Sequence, residues 1–290
     1  MNFFKQTILV STLSAAAMSV QATPFYIDLN GTGVGNGFSD ATNCPTCTSD
    51  ANELTVKYQS HTAIDLASAG GAGLDVGDTL VTTGGYSTDG FSVNAVTGLN
   101  PSGADYGFSN TSFAAANDWG LTFEFNLIGQ VASVINGTDV GDVIYNGGYI
   151  DMLFVKFDGL GGIASTEQAM RLNVTGSDLD NNSNLLIFGT LDFSLNTGNT
   201  YDSLFNIQGG ASCAGDISFR GLAECVPALD FTFVIDQNLN QPSVESLVGN
   251  ILTVGGTHDG SLAFNVPEPS TLALLSSVLF GLGGALRRKA

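Results

Sequence analysis

Basic residues are the scarcest chemistry in this chain: its 290 residues hold 8 Lys and Arg against 27 Asp and Glu. Four of the eight lie at the extremities, so the stretch from Thr23 to Val266 keeps only Lys57, Lys156, Arg171 and Arg220. With 26 acids in that stretch, its net charge is −22. Binding to phosphate requires Lys and Arg to displace counterions, so nucleic acid and anionic membrane surfaces are excluded as partners. The acids are dispersed, with no run of five like charges, which argues against a disordered acidic tail and for a soluble surface that attracts divalent cations.

Histidine is nearly as scarce, with only His61 and His258. A Ser or Cys nucleophile needs a positioned base, usually His, and no GxSxG elbow occurs. There is no HExxH, and two histidines cannot supply a three-His zinc site. His258 and Asp259 are adjacent, so in extended chain they point to opposite faces and do not form a relay; both histidines are expected in exposed loops. The chain is therefore expected not to be an enzyme. A carboxylate pair for glycoside cleavage can come from distant strands; Glu124 is the most natural candidate, although its alternation places it on the polar face of a strand.

Helical signals are brief, at 112–118 and 243–248, and the dominant period is two. Trp119, Leu121, Phe123, Phe125 and Leu127 alternate with small or polar residues, which puts the large side chains on one face of a strand. Leu229, Phe231, Phe233 and Ile235 repeat the pattern, as do Leu185, Ile187, Leu191, Phe193 and Leu195. Residues 149–157 are apolar on both faces, as in a covered central strand. Shorter strands are expected at 54–58, 79–83, 170–175 and 251–254. Asp89-Gly90, Asn136-Gly137, Asn146-Gly147 and Asp158-Gly159 supply turn chemistry. Residues 32–50 and 66–78 read as loops. The expected fold is all-β, an antiparallel β-sandwich or jelly roll occupying residues 23–266 as one exported domain.

Long apolar runs flank that domain. Lys5 followed by Ile8 to Val20 and a Val20-Gln21-Ala22 cleavage site reads as an N-terminal signal peptide over residues 1–22. At the other end, Pro267-Glu268-Pro269 precedes an apolar run from Leu272 to Leu286 and the basic stop Arg287-Arg288-Lys289. Such a run makes a helix a little short of the roughly 17 to 25 residues of a permanent span, and its basic flank stays cytoplasmic. The segment 267–290, with its motif, single transmembrane helix and Arg-rich end in order, closely resembles the PEP-CTERM sorting signal of Gram-negative bacteria. The resemblance implies exosortase, a membrane protease-transpeptidase, as processing partner. It also implies an inner-membrane intermediate held by the C-terminal helix, and then release to the cell surface or extracellular matrix. Pro267, Glu268, Pro269, Arg287 and Arg288 are the residues it assigns to sorting. Phe25-Tyr-Ile-Asp-Leu-Asn-Gly and the Trp119 strand also resemble the flocculation-associated subgroup.

Within the domain, two features carry chemistry. Asp178, Asp180, Asn182 and Asn184 stand at every second position, a spacing that converges oxygen ligands on calcium in a tight loop. Ser183 and Gly189 occupy the places where the full loop pattern needs Gly and Glu, so an Asx-rich turn is the competing account. Four cysteines fit an oxidising compartment. Cys44, Cys47, Cys213 and Cys225 are expected as structural disulfides, paired 44–47 and 213–225 or crossed, ahead of a redox pair or half a metal site. Together these point to a non-enzymatic surface or exopolysaccharide-matrix protein with a structural or adhesive role in biofilm or floc formation. The alternatives are a calcium-assisted carbohydrate-binding module, with exopolysaccharide as partner, and a glycan-active enzyme.

Overall fold

The computed structural model describes residues 24–32, 44, 46–71, 73–91, 93–97, 119–137, 139–158, 160, 162–179, 184–194, 200–208, 217–225, 231–238 and 242–265. The signal peptide, the helical segment expected at 112–118 and the sorting segment 267–290 lie outside them. Alternating sequence becomes strand: β1 (Phe25–Ile27), β2 (Glu53–Asp65), β3 (Thr79–Gly85), β4 (Ala95–Thr97), β5 (Trp119–Ile135) and β6 (Asp139–Phe157) occupy the first half. The second half holds β7 (Ile163–Leu179), β8 (Leu185–Asp192), β9 (Phe205–Ile207), β10 (Thr232–Asn238), β11 (Ser243–Val248) and β12 (Ile251–Asn265). Among the described residues, helix is confined to single turns, α1 (Tyr86–Asp89), a 3-10 turn at Thr200–Ser203 and α2 (Phe219–Ala223). The expectation of an all-β antiparallel fold is met.

One antiparallel sheet runs β11-β12-β10-β8-β7-β6-β5-β3-β2-β4, and β12 also pairs with β2. That second pairing extends from Ile251↔Asp65 to Ala263↔Glu53, so the two ends of the sheet join at this seam and the sheet closes on itself. Two positions in the closed ring are shared. β3 and β4 follow one another along β2, opposite Ile64–Ser60 and then Lys57–Thr55. β10 and β11 follow one another along β12, opposite Asn265–Asp259 and then Gly255–Ile251. The ring therefore has eight positions, a size that side chains alone can fill.

They do fill it. Leu54, Val56, Tyr58, Phe123, Phe125, Ile150, Met152, Leu172, Ile187, Phe233 and Leu262 are buried inside, around a residual cavity of only about 30 Å³. Outward positions of β2 are Thr55, Lys57, Gln59 and His61, polar where a membrane-spanning barrel is apolar. One end is plugged by the β1–β9 pair. There Phe25 packs against Phe205, Phe219 and Phe264, with ring centroids 6.1, 6.0 and 5.1 Å apart. Trp119 stacks on Phe154 at 5.4 Å and 13°, which places the single tryptophan in the core. Val155 faces outward, yet it is fully buried beside Phe91 and Phe157, so this end of β6 is apolar on both faces as expected.

Two local expectations are corrected. Residues 243–248 form strand β11 rather than helix, because they zip against Ile251–Gly255 through a turn at Gly249 with φ 61°. Asn146-Gly147 is no hairpin turn: Tyr145 faces Gly129 and Gly147 faces Ile128, leaving Asn146 as the extra residue of a bulge within β6. The β5–β6 hairpin turns at the expected Asn136-Gly137, both left-handed with φ 53° and 74°, within the three residues that separate the paired Ile135 and Asp139.

Candidate functional site

Polar residues at inward positions concentrate at the end of the ring opposite the plug. Along β2 the buried series runs Leu54, Val56, Tyr58, then Ser60 and Thr62, then Ile64. Along β10 it runs Phe233, Ile235, then Gln237. Ser60 Oγ and His258 Nε2 are hydrogen-bonded at 2.7 Å. Tyr145 Oη donates to Thr82 Oγ1 at 3.0 Å, and Thr82 bonds Thr62 at 2.9 Å. Ser60, Thr62, Tyr145, His258 and Gln237 border a cavity of about 60 Å³ between β2, β6, β10 and β12. That is room for a few ordered waters, since one needs roughly 10 to 15 Å³. Gln237 Oε1 has no protein partner there, an acceptor that a water suits. Burial drives the titration of this end: the Tyr145 hydroxyl is pushed up to about 12, Tyr58 is raised well above the usual tyrosine value, and His258 is pushed down.

His61 points out of the same strand. Its Nε2 lies 2.9 Å from Asp89 of α1 and its Nδ1 2.9 Å from Glu245 of β11. Hydrogen bonds to Glu245 and Asp89 raise its pKa against a smaller opposing effect of burial. The placement of both histidines in exposed loops is therefore corrected. Each is a strand residue, because β2 and β12 are far longer than the short apolar runs at 54–58 and 251–254 suggest. His258 faces in and Asp259 faces out, as their adjacency requires.

The α1 excursion interrupts the β3–β4 position and is held by Asn94, which is fully buried. Its Oδ1 accepts from the Gln59 N–H at 3.1 Å and its Nδ2 donates to the carbonyls of Gly85 and Gly90, both at 3.1 Å. Gly90, with φ 84°, ends the helical turn at the expected Asp89-Gly90 site.

Glu124 lies on the outer face, facing Gly85 on one side and Asp151 on the other. Asp151 is clamped by Arg171 at 2.6 and 2.7 Å and by Gln168 at 2.8 Å, and the guanidinium lies 4.0 Å from the centre of the Tyr149 ring. Of the proposed calcium ligands, Asp178 is on β7 with its Oδ1 accepting from the Leu179 N–H, and Asn184 immediately precedes β8. Asp180 and Asn182 lie outside the described residues. Cys44 and Cys47 form a disulfide with Cα atoms 5.4 Å apart, as expected. Asp28 sits beside it and accepts from Thr46 Oγ1 at 2.7 Å. Cys225 is disulfide-bonded, and Cys213 lies outside the described residues.

The inward polar residues Ser60, Thr62, Tyr145 and Gln237 were not singled out in the sequence. The signal for Ser60, Thr62 and Gln237 was present: a hydrogen-bonding residue standing in phase with apolar ones on an alternating strand marks where the lining changes character.

β12 ends at Asn265, at the plugged end, where it pairs with Thr232. Residues 265–289 match the PEP-CTERM protein-sorting motif. The chain carries an exosortase sorting signal. It is thus an exported protein, targeted to exosortase for processing at the membrane. Neither characterised proteins nor solved structures give a match to the chain. No helix among the described residues is long and apolar enough to cross a membrane; the apolar run of the sorting motif lies beyond them.

Proposed function

We propose that this protein is a non-enzymatic constituent of the surface or exopolysaccharide matrix of a Gram-negative bacterium, displayed after exosortase removes its C-terminal segment. The observation that carries this reading is the PEP-CTERM motif beginning where the last barrel strand ends. The fold suits such a role. The ring is complete by Asn265, so a cut near Pro267 leaves every strand pairing intact. The net charge of −22 between Thr23 and Val266 keeps the released protein soluble.

The geometry also sets a direction. Before cutting, the plugged end is nearest the membrane. Ten residues of strand from Asn265 back to Gly255 rise about 33 Å, so β11 and the polar mouth project outward. Pro267 and Pro269 lack amide protons and favour extended chain, which holds Glu268 accessible just outside the bilayer, while Arg287 and Arg288 oppose translocation.

Top-down mass spectrometry of inner-membrane, outer-membrane and secreted fractions tests the reading. A form starting near Thr23 and ending near Pro267 outside the inner membrane is the expected result. A form retaining Arg287 and Arg288 in the inner membrane would make the chain a tail-anchored periplasmic protein and end the matrix reading. Pro267/Pro269→Ala and Arg287/Arg288→Glu are expected to leave uncut precursor in the membrane.

A further inference from the structure

β11 has a strand partner along one side only: among the described residues it pairs with β12 alone and ends the sheet order. All six of its residues are exposed. Val244, Leu247 and Val248 are 69%, 61% and 74% exposed, and Ile251 across the turn is 41% exposed. A row of free backbone donors and acceptors bordered by apolar side chains is a template for another strand, and soluble proteins usually guard such edges with Lys, Pro or inward charge. β11 contains no Lys or Pro, and its one charge, Glu245, sits at the bulge against β12 and is bonded to His61.

We propose that β11 is a self-association edge, pairing antiparallel with β11 of a second copy of this chain. Three observations select a second copy as occupant. First, a protein of net charge −22 repels its own copies except where charge is sparse, and β11 is such a place, with its only carboxylate engaged by the ring it clasps. Second, the strand is self-complementary. Centring the pair on Ser246 sets Val244 against Val248 and Glu245 against Leu247, so no two carboxylates stand opposite one another, the arrangement that would destabilise the pair. A two-fold contact of this kind is closed and stops at a dimer. Third, β11 borders the end of β12 farthest from Asn265, so neighbouring copies held at one surface present these edges to each other at the same height.

Two short strands make an interface smaller than the roughly 1,200 to 2,000 Å² of stable complexes. Affinity in solution is weak, and crowding copies on a surface raises their effective concentration. The third observation rests on the proposed surface display; mass and location of the processed form are measured separately from its association, so the failure of one reading is distinguishable from failure of the other.

The test is the molar mass of the processed protein, isolated from producing cells, by sedimentation over a range of protein concentrations and from about 0.01 M to about 1 M salt, across which the screening length falls from roughly 30 Å to 3 Å. The expected result is a monomer–dimer equilibrium that tightens with salt, because screening removes the like-charge repulsion. Leu247→Lys is expected to weaken it at least tenfold, Val244→Lys likewise, and both variants should melt as the parent does, since neither side chain is buried. Slower amide exchange over 243–248 at high protein concentration would place the contact on β11. A monomer under all conditions would overturn the inference. So would a dimer that both lysine variants leave intact, because its contact would lie elsewhere.

Discussion

The two histidines are the only side chains here whose ordinary pKa lies between pH 5 and 8, and the fold pulls them in opposite directions. His61, clasped by Glu245 and Asp89, has its pKa raised. Its contribution to stability is complete below the unfolded value of about 6.5 and is lost as pH rises through the folded value. His258, buried, has its pKa lowered. In the unfolded chain it takes up a proton that the fold resists, so stability falls as pH drops below about 6.5. The two slopes meet in a maximum near pH 6.5. Denaturant melts across pH 5 to 8 should show it. His61→Gln should flatten only the alkaline side, by about 0.2 to 1 kcal/mol as for a partly exposed ion pair, and His258→Gln only the acid side. A single slope of either sign would contradict this account. Asn94 makes a second residue-scale case. Asn94→Ala strands the part-buried Gln59 N–H and the carbonyls of Gly85 and Gly90, and one orphaned group costs about 1 to 3 kcal/mol when buried. A loss near 3 kcal/mol in a urea melt is expected, whereas a loss below 1 would mean that water replaces the side chain.

At the scale of elements, what each strand reports depends on its neighbours. β5 and β10 were legible because large apolar residues recur at every second position along them, and β8 because Leu185 and Ile187 stand in phase; the buried faces match those positions. β2 and β12 were read at a fraction of their length. Their inward positions change from Leu, Val and Phe to Ser60, Thr62, Gly256 and His258 toward the mouth, so apolar periodicity fades while backbone pairing continues. β11 was read as helix because its apolar residues Val244, Leu247 and Val248 fall at helical spacing. None of them is buried, so the spacing reports no core-facing stripe, and pairing with β12 decides the structure. The candidate site at the mouth was legible only in part: Ser60, Thr62 and Gln237 stand in phase with apolar neighbours, but their grouping was not readable, since its members come from four strands that only closure brings together. The sorting motif was fully legible, because it acts as linear sequence. Gly189 tests how tightly the elements are joined. A Cβ there would collide with the Asn173 carbonyl and meet the Phe233 ring at 2.8 Å. Gly189→Ala must push β7 or β10 away from β8, and a destabilisation of about 1 to 3 kcal/mol, the usual cost of overpacking, is expected by thermal melting. Ala at the open position Gly73 is the control and should change little.

At the scale of the molecule, closure and sorting meet in one strand. Among the described residues β12 is the last element in sequence and the one that seals the ring, pairing with β2 along most of its length and with β10 and β11 on the other side. An exported chain entering from its N-terminus therefore presents an incomplete sheet until residue 265 has emerged. The sorting segment comes next, and on the proposed reading its apolar run holds the chain at the membrane during the interval in which the seam must close. On that reading exosortase then meets a finished barrel. If closure is complete before the cut, processing adds nothing to stability, and a chain ending at Val266 should melt at the same temperature as the precursor in mild detergent. A chain ending at Thr257 loses Phe264 and Leu262 from the core and every β10–β12 pair. Removing one buried Phe and one buried Leu alone costs about 5 to 10 kcal/mol, comparable with the whole stability of a domain. That shorter chain should show no cooperative melt and no near-ultraviolet signal from Trp119. Should it melt cooperatively instead, the ring would not need its last strand, and the sorting segment could be cut before folding is finished.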